Sequence, residues 1–305
     1  MTKIQKPFLK WVGGKTQIIH DIIKKIPPEI ENYHEPFVGG GSVMFAVLSL
    51  QKEGYITIKN NIYCSDKNLV LINVYKYIQH SSSKLYQTIQ EYMMIYESCS
   101  GKVINRNPLT LIEGQTSKES YYYWLRKTFN NCDKETIECS ALFMILNKLC
   151  FRGLYREGPN GFNVPFGHYK KTPTIVDKQE LNNISKLIEN VKFTHQDFQS
   201  SFKAVNIGDF IYLDPPYVPE DNTSFVKYTE EGFGLKQHQL LFKYILDLEN
   251  VDFMLSNSKV ELVLETFKNY NVVDILCRRA INSKKPDSKT MEVIITNYWD
   301  IPTYE

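Results

Sequence analysis

The residues with the clearest chemical capacity are Asp214, Pro215, Pro216 and Tyr217, which follow the apolar run Ile211-Tyr212-Leu213. Proline cannot donate to a strand ladder, and a residue ahead of proline is pushed toward extended backbone. Asp214 and Pro215 each precede a proline, so both are expected to be extended where a buried strand emerges at the edge of its sheet. The result is a rigid rim with one carboxylate, one main-chain carbonyl at Pro215 that no helix consumes, and the flat face of Tyr217. The carboxylate and the carbonyl can accept the two hydrogens of an amino group while the tyrosine stacks on the ring that bears it. A strand followed by a Pro-Pro turn with a solvated aspartate is the plainer reading of the same residues.

Two glycine stretches could bring a second reactant to such a rim. Lys6 to Lys15 reads Lys-Pro-Phe-Leu-Lys-Trp-Val-Gly-Gly-Lys and runs into a helical pattern that reaches Lys25 ahead of Pro27-Pro28. It is not a P-loop, because Leu9 stands where the first glycine belongs. It is a glycine turn at a helix start, flanked by Trp11 and Lys15, suited to a carboxylate or phosphate or else simply a capped helix with a solvated lysine. Further along, Glu35-Pro36-Phe37-Val38-Gly39-Gly40-Gly41-Ser42 leads into a helical run from Val43 to Leu50. Three glycines let a ligand approach the backbone at a helix N-terminus. Met44 excludes both the dinucleotide fingerprint and a nucleophile elbow. After the strand-like Ile62-Tyr63-Cys64-Ser65 comes Asp66, where a second strand ends in an acid that can take ribose hydroxyls.

The elements that must position these residues can be read from periodicity. Leu69 to about Lys148 recurs at three- and four-residue spacing and is expected to be helical, with Gly101 to Ser117 as a loop. Within it, Tyr121-Tyr122-Tyr123-Trp124 reads as helix core. A helix from Glu180 to Glu189 and a strand from Val191 to Thr194 follow, then His195-Gln196-Asp197-Phe198. Asp197 is placed to bond the exocyclic amine of a cofactor adenine; His195 and Asp197 lack a third partner, so no metal site is expected. Beyond the opening stretch the pattern gives helix Leu235 to Leu248, strand Phe253 to Ser256, helix Val260 to Phe267, and strands Val272 to Leu276 and Val293 to Thr296. His238 reads as a capped surface or packing residue.

The chain has 305 residues and a net charge of +2, so affinity for nucleic acid has to come from local clusters. One such cluster sets Lys148, Arg152, Arg156, Lys170 and Lys171 against Glu157, interleaved with Phe151, Tyr155, Phe162 and Phe166. Cations and aromatics in a turn-rich stretch can track phosphates, read guanine through arginine and wedge between bases. A second sets Arg278, Arg279, Lys284, Lys285 and Lys289 against Asp287. The six cysteines fall at irregular spacings and read as reduced thiols. Met1 to Lys10 lacks a signal-peptide core, and no apolar run reaches the roughly 18 residues of a membrane span. A cytoplasmic, DNA-associated protein is expected, monomeric or weakly dimeric.

Four of these segments, in this order, resemble the Dam/DpnII-type adenine-N6 DNA methyltransferases (D12 class, alpha group). Phe8 to Lys15 is similar to the amino-terminal motif of that family, Glu35 to Ser42 to its AdoMet loop, Leu213 to Tyr217 to its catalytic motif, and Asn163-Val164-Pro165-Phe166-Gly167 to part of its target-recognition segment. The resemblance implies an α/β fold: a Rossmann-like AdoMet-dependent methyltransferase sheet with helices on both faces, built from residues 1–75 and 190–305, with a helical target-recognition domain inserted at 76–189. It implies S-adenosyl-L-methionine as cofactor, lined by Trp11, Lys15, Phe37, Gly39, Gly41, Asp66, Asp197, Phe198 and Asp214. It implies catalysis by Asp214, Pro215, Pro216 and Tyr217 on an adenine flipped from double-stranded DNA, in GATC or a related short site. Lys10, Phe151, Arg152, Arg156, Asn163, Pro165, Lys170, Arg278 and Lys289 would contact the DNA, with Phe151 intercalating and Lys10 and Arg156 reading bases. Arg152 departs from the asparagine that many GATC relatives carry after the aromatic, which leaves the recognition sequence open, as it does a place in restriction-modification. An RNA methyltransferase, or a DNA-binding module without catalysis, would share parts of this pattern.

Overall fold

The computed structural model describes residues 4–219, 233–278 and 289–299. The chain forms two compact units. One comprises Lys15–Lys67 and the described residues from Asn190 onward; the other comprises Gln5–Gly14 and Asn68–Glu189.

The first unit is a mixed α/β unit built on a seven-stranded sheet. Its strands are β1 (Tyr33–Glu35), β2 (Ile62–Asp66), β3 (Val191–His195), β4 (Phe210–Leu213), β5 (Asp252–Ser258), β6 (Asn271–Arg278) and β7 (Lys289–Thr296). They lie in the order β6-β7-β5-β4-β1-β2-β3. The first five are mutually parallel where they pair, and β7 runs antiparallel to both β5 and β6. From β1 the chain moves to β2 at one side, through helix Ser42–Lys52; from β4 it moves to β5 at the other, through helix Leu235–Leu246. Right-handed connections in opposite directions place those two helices on opposite faces. All four residues of β4 are buried, as a parallel strand covered on both sides requires, whereas the edge strand β3 alternates at its start. Helix Ser42–Lys52 is buried from Ser42 through Leu50, as its apolar run Val43–Leu48 and Leu50 dictates, with Ser49 Oγ satisfied by donating to Phe45 O.

The direction of progression reverses between β1 and β4, and in an open parallel sheet the crevice outside the carboxyl ends of such strands is where ligands bind. At the amino end of this pair, the buried Asp209 accepts hydrogen bonds from the backbone and side chain of Asn32 and from Asn206 N, and meets His34 Nε2 at 2.8 Å. This anchor holds β1 against β4, with Tyr33 opposite Phe210 and His34 opposite Ile211, so that Glu35 and Asp214 reach the same rim.

The second unit is helical. Helix Leu69–Ser98 starts at Asn68, whose side chain accepts from Leu71 N, and continues through a local break at Ser81 (φ −148°, ψ 36°). Helices Lys118–Asn131 and Ile137–Leu149 start at Ser117 and Thr136, each accepting from a first-turn amide. Tyr121 and Tyr122 are fully buried and Tyr123 nearly so, which places the aromatic cluster in the core. The expected loop at 101–117 contains a short helix, Leu111–Gly114. The division falls at Asn68 where residue 76 was expected, because Leu71, Ile72, Val74 and Tyr75 are already buried in the long helix. Gln5–Gly14 belongs with this unit through Phe8, edge-on to Tyr75 at 5.8 Å, and Lys10, whose N–H and C=O are both bonded by Asn147. The expectation of six reduced thiols is corrected at one place. Cys132 and Cys139, on either side of the turn joining two helices, have Cα atoms 6.0 Å apart and form a disulfide; Cys64, Cys99, Cys150 and Cys277 are free and buried.

Candidate active site

Asp214 sits one residue past β4, at the reversal point, with 19 % of its side chain exposed. Its Oδ1 lies 2.7 Å from Nζ of Lys15, which is itself only 4 % exposed. The Lys15 ammonium also lies 4.8 Å from the centre of the Tyr217 ring, and Lys15 N donates to Ser42 Oγ at 3.0 Å. One lysine thus ties the glycine loop that ends at Ser42 to the Asp-Pro-Pro-Tyr rim. Among the described residues, no donor reaches Asp214 Oδ2 or the carbonyl of the buried Pro215. Two neighbouring acceptors without internal donors are what an amino group with two hydrogens requires. Burial raises the Asp214 pKa above its ordinary value, and the Glu292 carboxylate adds to the rise, while Lys15 opposes both.

The glycine loop is shaped from both sides. Gly39 N donates to Asp66 Oδ2 at 3.0 Å, so the acid that ends β2 closes onto the loop after β1. Gly41, at φ +73°, enters helix Ser42–Lys52 in the left-handed region, where a side chain would be strained, and supplies no side-chain cap to its first turn. Phe37 stacks on Phe198 at 5.8 Å, and Asp197 starts helix Phe198–Phe202 by accepting from Gln199 N. Lys15, Phe37, Gly39, Gly41, Asp66, Asp197, Phe198 and Asp214 therefore all lie in the first unit. Trp11, expected beside them, lies in the second, stacked on Tyr155 at 5.8 Å.

Residue Glu35 was read from the sequence only as part of the glycine motif. Fully buried at the end of β1, it accepts from Tyr33 Oη at 2.6 Å and from the backbone of Met44. Both donors favour the ionised form, yet desolvation outweighs them and pushes the carboxyl up to about 8. The native chain then holds a proton that the unfolded chain releases above about 4.5, so stability falls as pH rises from there toward 8. Glu35→Gln removes this titration. Its stability should gain on that of the parent between pH 5 and pH 8, by on the order of 4 kcal/mol at most, read as a relative rise in melting temperature; parallel pH trends in thermal melts would contradict it.

Three further groups near the rim carried no sequence signal. Tyr217 Oη donates to Glu292 Oε2 at 2.9 Å, Val218 N donates to Asn257 Oδ1 at 3.2 Å, and Ser258 Oγ donates to Val218 O at 2.5 Å. His238 is buried, edge-on to Phe233 at 4.8 Å, with its pKa lowered by burial to about 4, and serves as a neutral packing residue.

In the second unit, the Phe151-Arg152-Gly153 turn and the Asn163–Gly167 segment are joined: Phe151 N donates to Pro165 O at 2.8 Å. Phe151 is 43 % exposed, and Arg152, Arg156, Asn163, Pro165 and Lys170 are exposed as well. Arg152 adopts φ +58°, with its guanidinium 5.3 Å from the Phe151 ring, and Arg156 Nε donates to Asn163 Oδ1 at 2.6 Å. Lys10 reaches the same group, with Nζ donating to Tyr169 Oη at 3.1 Å and its stem against Gly153, where an added Cβ would lie 2.4 Å from Lys10 Cβ. Nothing in the spacing of Tyr169 along the chain marks it for this contact. Arg278 and Lys289 are partners in the backbone register of β6 and β7, while Arg279, Lys284, Lys285 and Asp287 lie outside the described residues.

The family model of D12 class N6 adenine-specific DNA methyltransferases matches residues 11–281. The chain belongs to this family. As a D12 class enzyme it transfers a methyl group to adenine N6 in DNA, and S-adenosyl-L-methionine is the donor that the family implies. The chain is 36 % identical to the Type II methyltransferase M.MjaIII of Methanocaldococcus jannaschii, over 96 % of this chain and 99 % of that protein. It is 35 % identical to the Type II methyltransferase M1.LlaDCHI of Lactococcus lactis subsp. cremoris, over 96 % and 95 %, and 30 % identical to a DNA adenine methylase of Haemophilus influenzae, over 93 % and 90 %. No helix among the described residues is long and apolar enough to cross a membrane.

Proposed function

We propose that this D12 class enzyme flips an adenine out of duplex DNA at GATC or a closely related short site and holds its N6 amino group between Asp214 and Pro215, with Tyr217 against the ring. The observation that carries this is that Asp214 Oδ2 and Pro215 O, acceptors on consecutive residues at the sheet's reversal point, have no internal donor among the described residues. An adenine amino group is a poor nucleophile because its lone pair is delocalised into the ring. Accepting both hydrogens draws that pair out of the ring and aims it. Unstacking costs a few kcal/mol, offset by contacts to the ring face and base edge.

The residues present fit S-adenosyl-L-methionine. The uncapped helix start at Gly41 suits a carboxylate, Asp66 at the end of β2 suits ribose hydroxyls, and Phe37 with Phe198 gives an aromatic wall for a purine whose amine Asp197 can accept. Bound there, the cofactor supplies an electrophilic methyl group. Lys15 and Trp11 complete the proposed set, and no metal is needed. The second unit is proposed to recognise the target: Phe151 enters the stack, Lys10 and Arg156 read bases, and Arg152, Asn163, Pro165 and Lys170 contact the site, while Arg278 and Lys289 of the first unit are proposed to contact the DNA as well. The enzyme is proposed to be monomeric or weakly dimeric and to act on DNA in the cytoplasm. The Type II names of two relatives are consistent with a place in restriction-modification.

Initial rates on a duplex containing GATC and on duplexes changed at each position in turn test the recognition proposal. Arg156→Ala should lose about 1–3 kcal/mol of discrimination at one base pair and leave it intact at the others. A uniform loss across all duplexes would make Arg156 a phosphate contact, and a preference for RNA of the same sequence would overturn the substrate assignment.

A further inference from the structure

We propose that Glu292 and Ser258 are positioning residues of the methyl transfer, which fix where the Tyr217 ring stands and the path of the backbone behind it. This rests on the reading of Asp214–Tyr217 as the adenine holder.

The need for such supports comes from the rim itself. Pro215 and Pro216 have no N–H, so neither can be fixed by donating a hydrogen bond. Anchorage must come from the residues on either side. Asp214 is held by Lys15. On the far side Tyr217 Oη donates to Glu292 Oε2 at 2.9 Å, and both main-chain groups of Val218 are bonded: its N–H to Asn257 Oδ1 at 3.2 Å and its carbonyl from Ser258 Oγ at 2.5 Å. Asn257 Oδ1 also accepts from Ser258 N at 2.9 Å, so two adjacent residues hold both main-chain groups of the buried Val218.

These supports share one rung of the sheet. Glu292 of β7 stands directly opposite Ser258 of β5 in the antiparallel register. The end of the rim is therefore bolted to two strands whose mutual position is itself fixed by the ladder, from partners 75 and 40 residues away in sequence. A ring held only through its Cα–Cβ bond would swing between several rotamers. The bond from Oη to Glu292 pins the far end of the phenol and so stops that swing, while the Lys15 ammonium, 4.8 Å from the ring centre, favours the orientation that turns a ring face toward it. Pre-set geometry of that kind acts on turnover more than on the binding of either substrate. Glu292 also has an electrostatic reach: its carboxylate raises the pKa of Asp214. Its removal should move the acid limb of the rate profile to lower pH, an effect that loss of packing alone would not produce.

The test measures kcat, KM and thermal melting for Glu292→Ala, Glu292→Gln, Tyr217→Phe and the Tyr217→Phe/Glu292→Ala double variant, on a methylatable duplex with S-adenosyl-L-methionine. Glu292→Ala should lose about 10- to 100-fold in kcat with both KM values within about threefold. Glu292→Gln, whose amide oxygen still accepts the phenol, should recover most of the loss while its acid limb moves down in pH. In the Tyr217→Phe background, Glu292→Ala should cost little more. An unchanged kcat in Glu292→Ala, or full additivity in the double variant, would overturn the proposal. If Glu292→Ala does not fold, the pH profile of Glu292→Gln decides, and an unmoved acid limb overturns it. Turnover that survives Asp214→Ala would instead sink the underlying reading of the rim; with Asp214→Ala inactive, a failure here concerns Glu292 and Ser258 alone.

Discussion

Replacing Asp214 with alanine is expected to abolish methyl transfer, by at least about a thousandfold in turnover, while binding of S-adenosyl-L-methionine remains measurable. The carboxylate is assigned two tasks, accepting an amino hydrogen and fixing the amino nitrogen in line, and no neighbouring group can take over both. Glu292 is engaged by Tyr217, and Glu35 is buried and bonded to Tyr33 and Met44. The substitution also leaves Lys15, 4 % exposed, without its carboxylate partner, so a loss of stability should accompany the loss of rate. Turnover is therefore to be compared well below the melting temperature of the variant. Asp214→Asn separates the causes. Its oxygen can still accept from Lys15, but its amide then points donors at donors of the substrate, so it should melt closer to the parent and be as inactive as alanine. Near-normal turnover in either variant, with cofactor binding intact, would remove Asp214 from the chemistry.

Lys15→Met is the second large effect, and it acts through the ionisation of Asp214. In the native protein burial raises the Asp214 pKa, Glu292 raises it further, and Lys15 is what holds it down. Methionine fills the space and removes the opposing charge, so the carboxyl becomes harder to ionise. The acid limb of kcat/KM should move to higher pH, and activity lost at neutral pH should return in part as pH is raised. The effect on stability has the same origin. With its folded pKa above the unfolded value of 3.8, Asp214 binds a proton in the native state that the unfolded chain has released. Stability then falls as pH climbs from about 4 toward the folded pKa, and the variant should be most destabilised relative to the parent at neutral pH. Breaking a buried ion pair costs about 3–5 kcal/mol; the lower end applies because Asp214 keeps 19 % exposure. A rate profile unmoved in pH would show that Lys15 does not govern Asp214.

What the sequence disclosed depended on how local each signal was. The rim was legible because two prolines restrict the backbone ahead of them whatever surrounds them. The glycine loop and Asp66 were legible because a βαβ unit fixes their spacing, and Gly39 N indeed meets Asp66 Oδ2. Buried strands such as β4 announced themselves by unbroken apolar runs. Glu292, Ser258 and Asn257 gave no such signal, because their significance lies in a strand pairing that brings distant residues onto one rung. Glu35 was hidden for a different reason: its raised pKa is a property of burial among apolar neighbours, which no motif encodes. The grouping of Gln5–Gly14 with the helical unit was equally invisible, since it rests on Phe8 against Tyr75 and Lys10 on Asn147. The cysteine reading failed because irregular spacing along the chain says nothing about a turn that folds Cys132 back onto Cys139.

The most direct test of the central claim is to incubate the protein with mixed-sequence duplex DNA and methyl-labelled S-adenosyl-L-methionine, digest the product to nucleosides, and map the labelled positions, with Asp214→Ala run alongside. The expected result is label in N6-methyladenine alone, confined to one short recurring site, and no label with the variant. Label in a cytosine, or equal label from the Asp214→Ala protein, would contradict it.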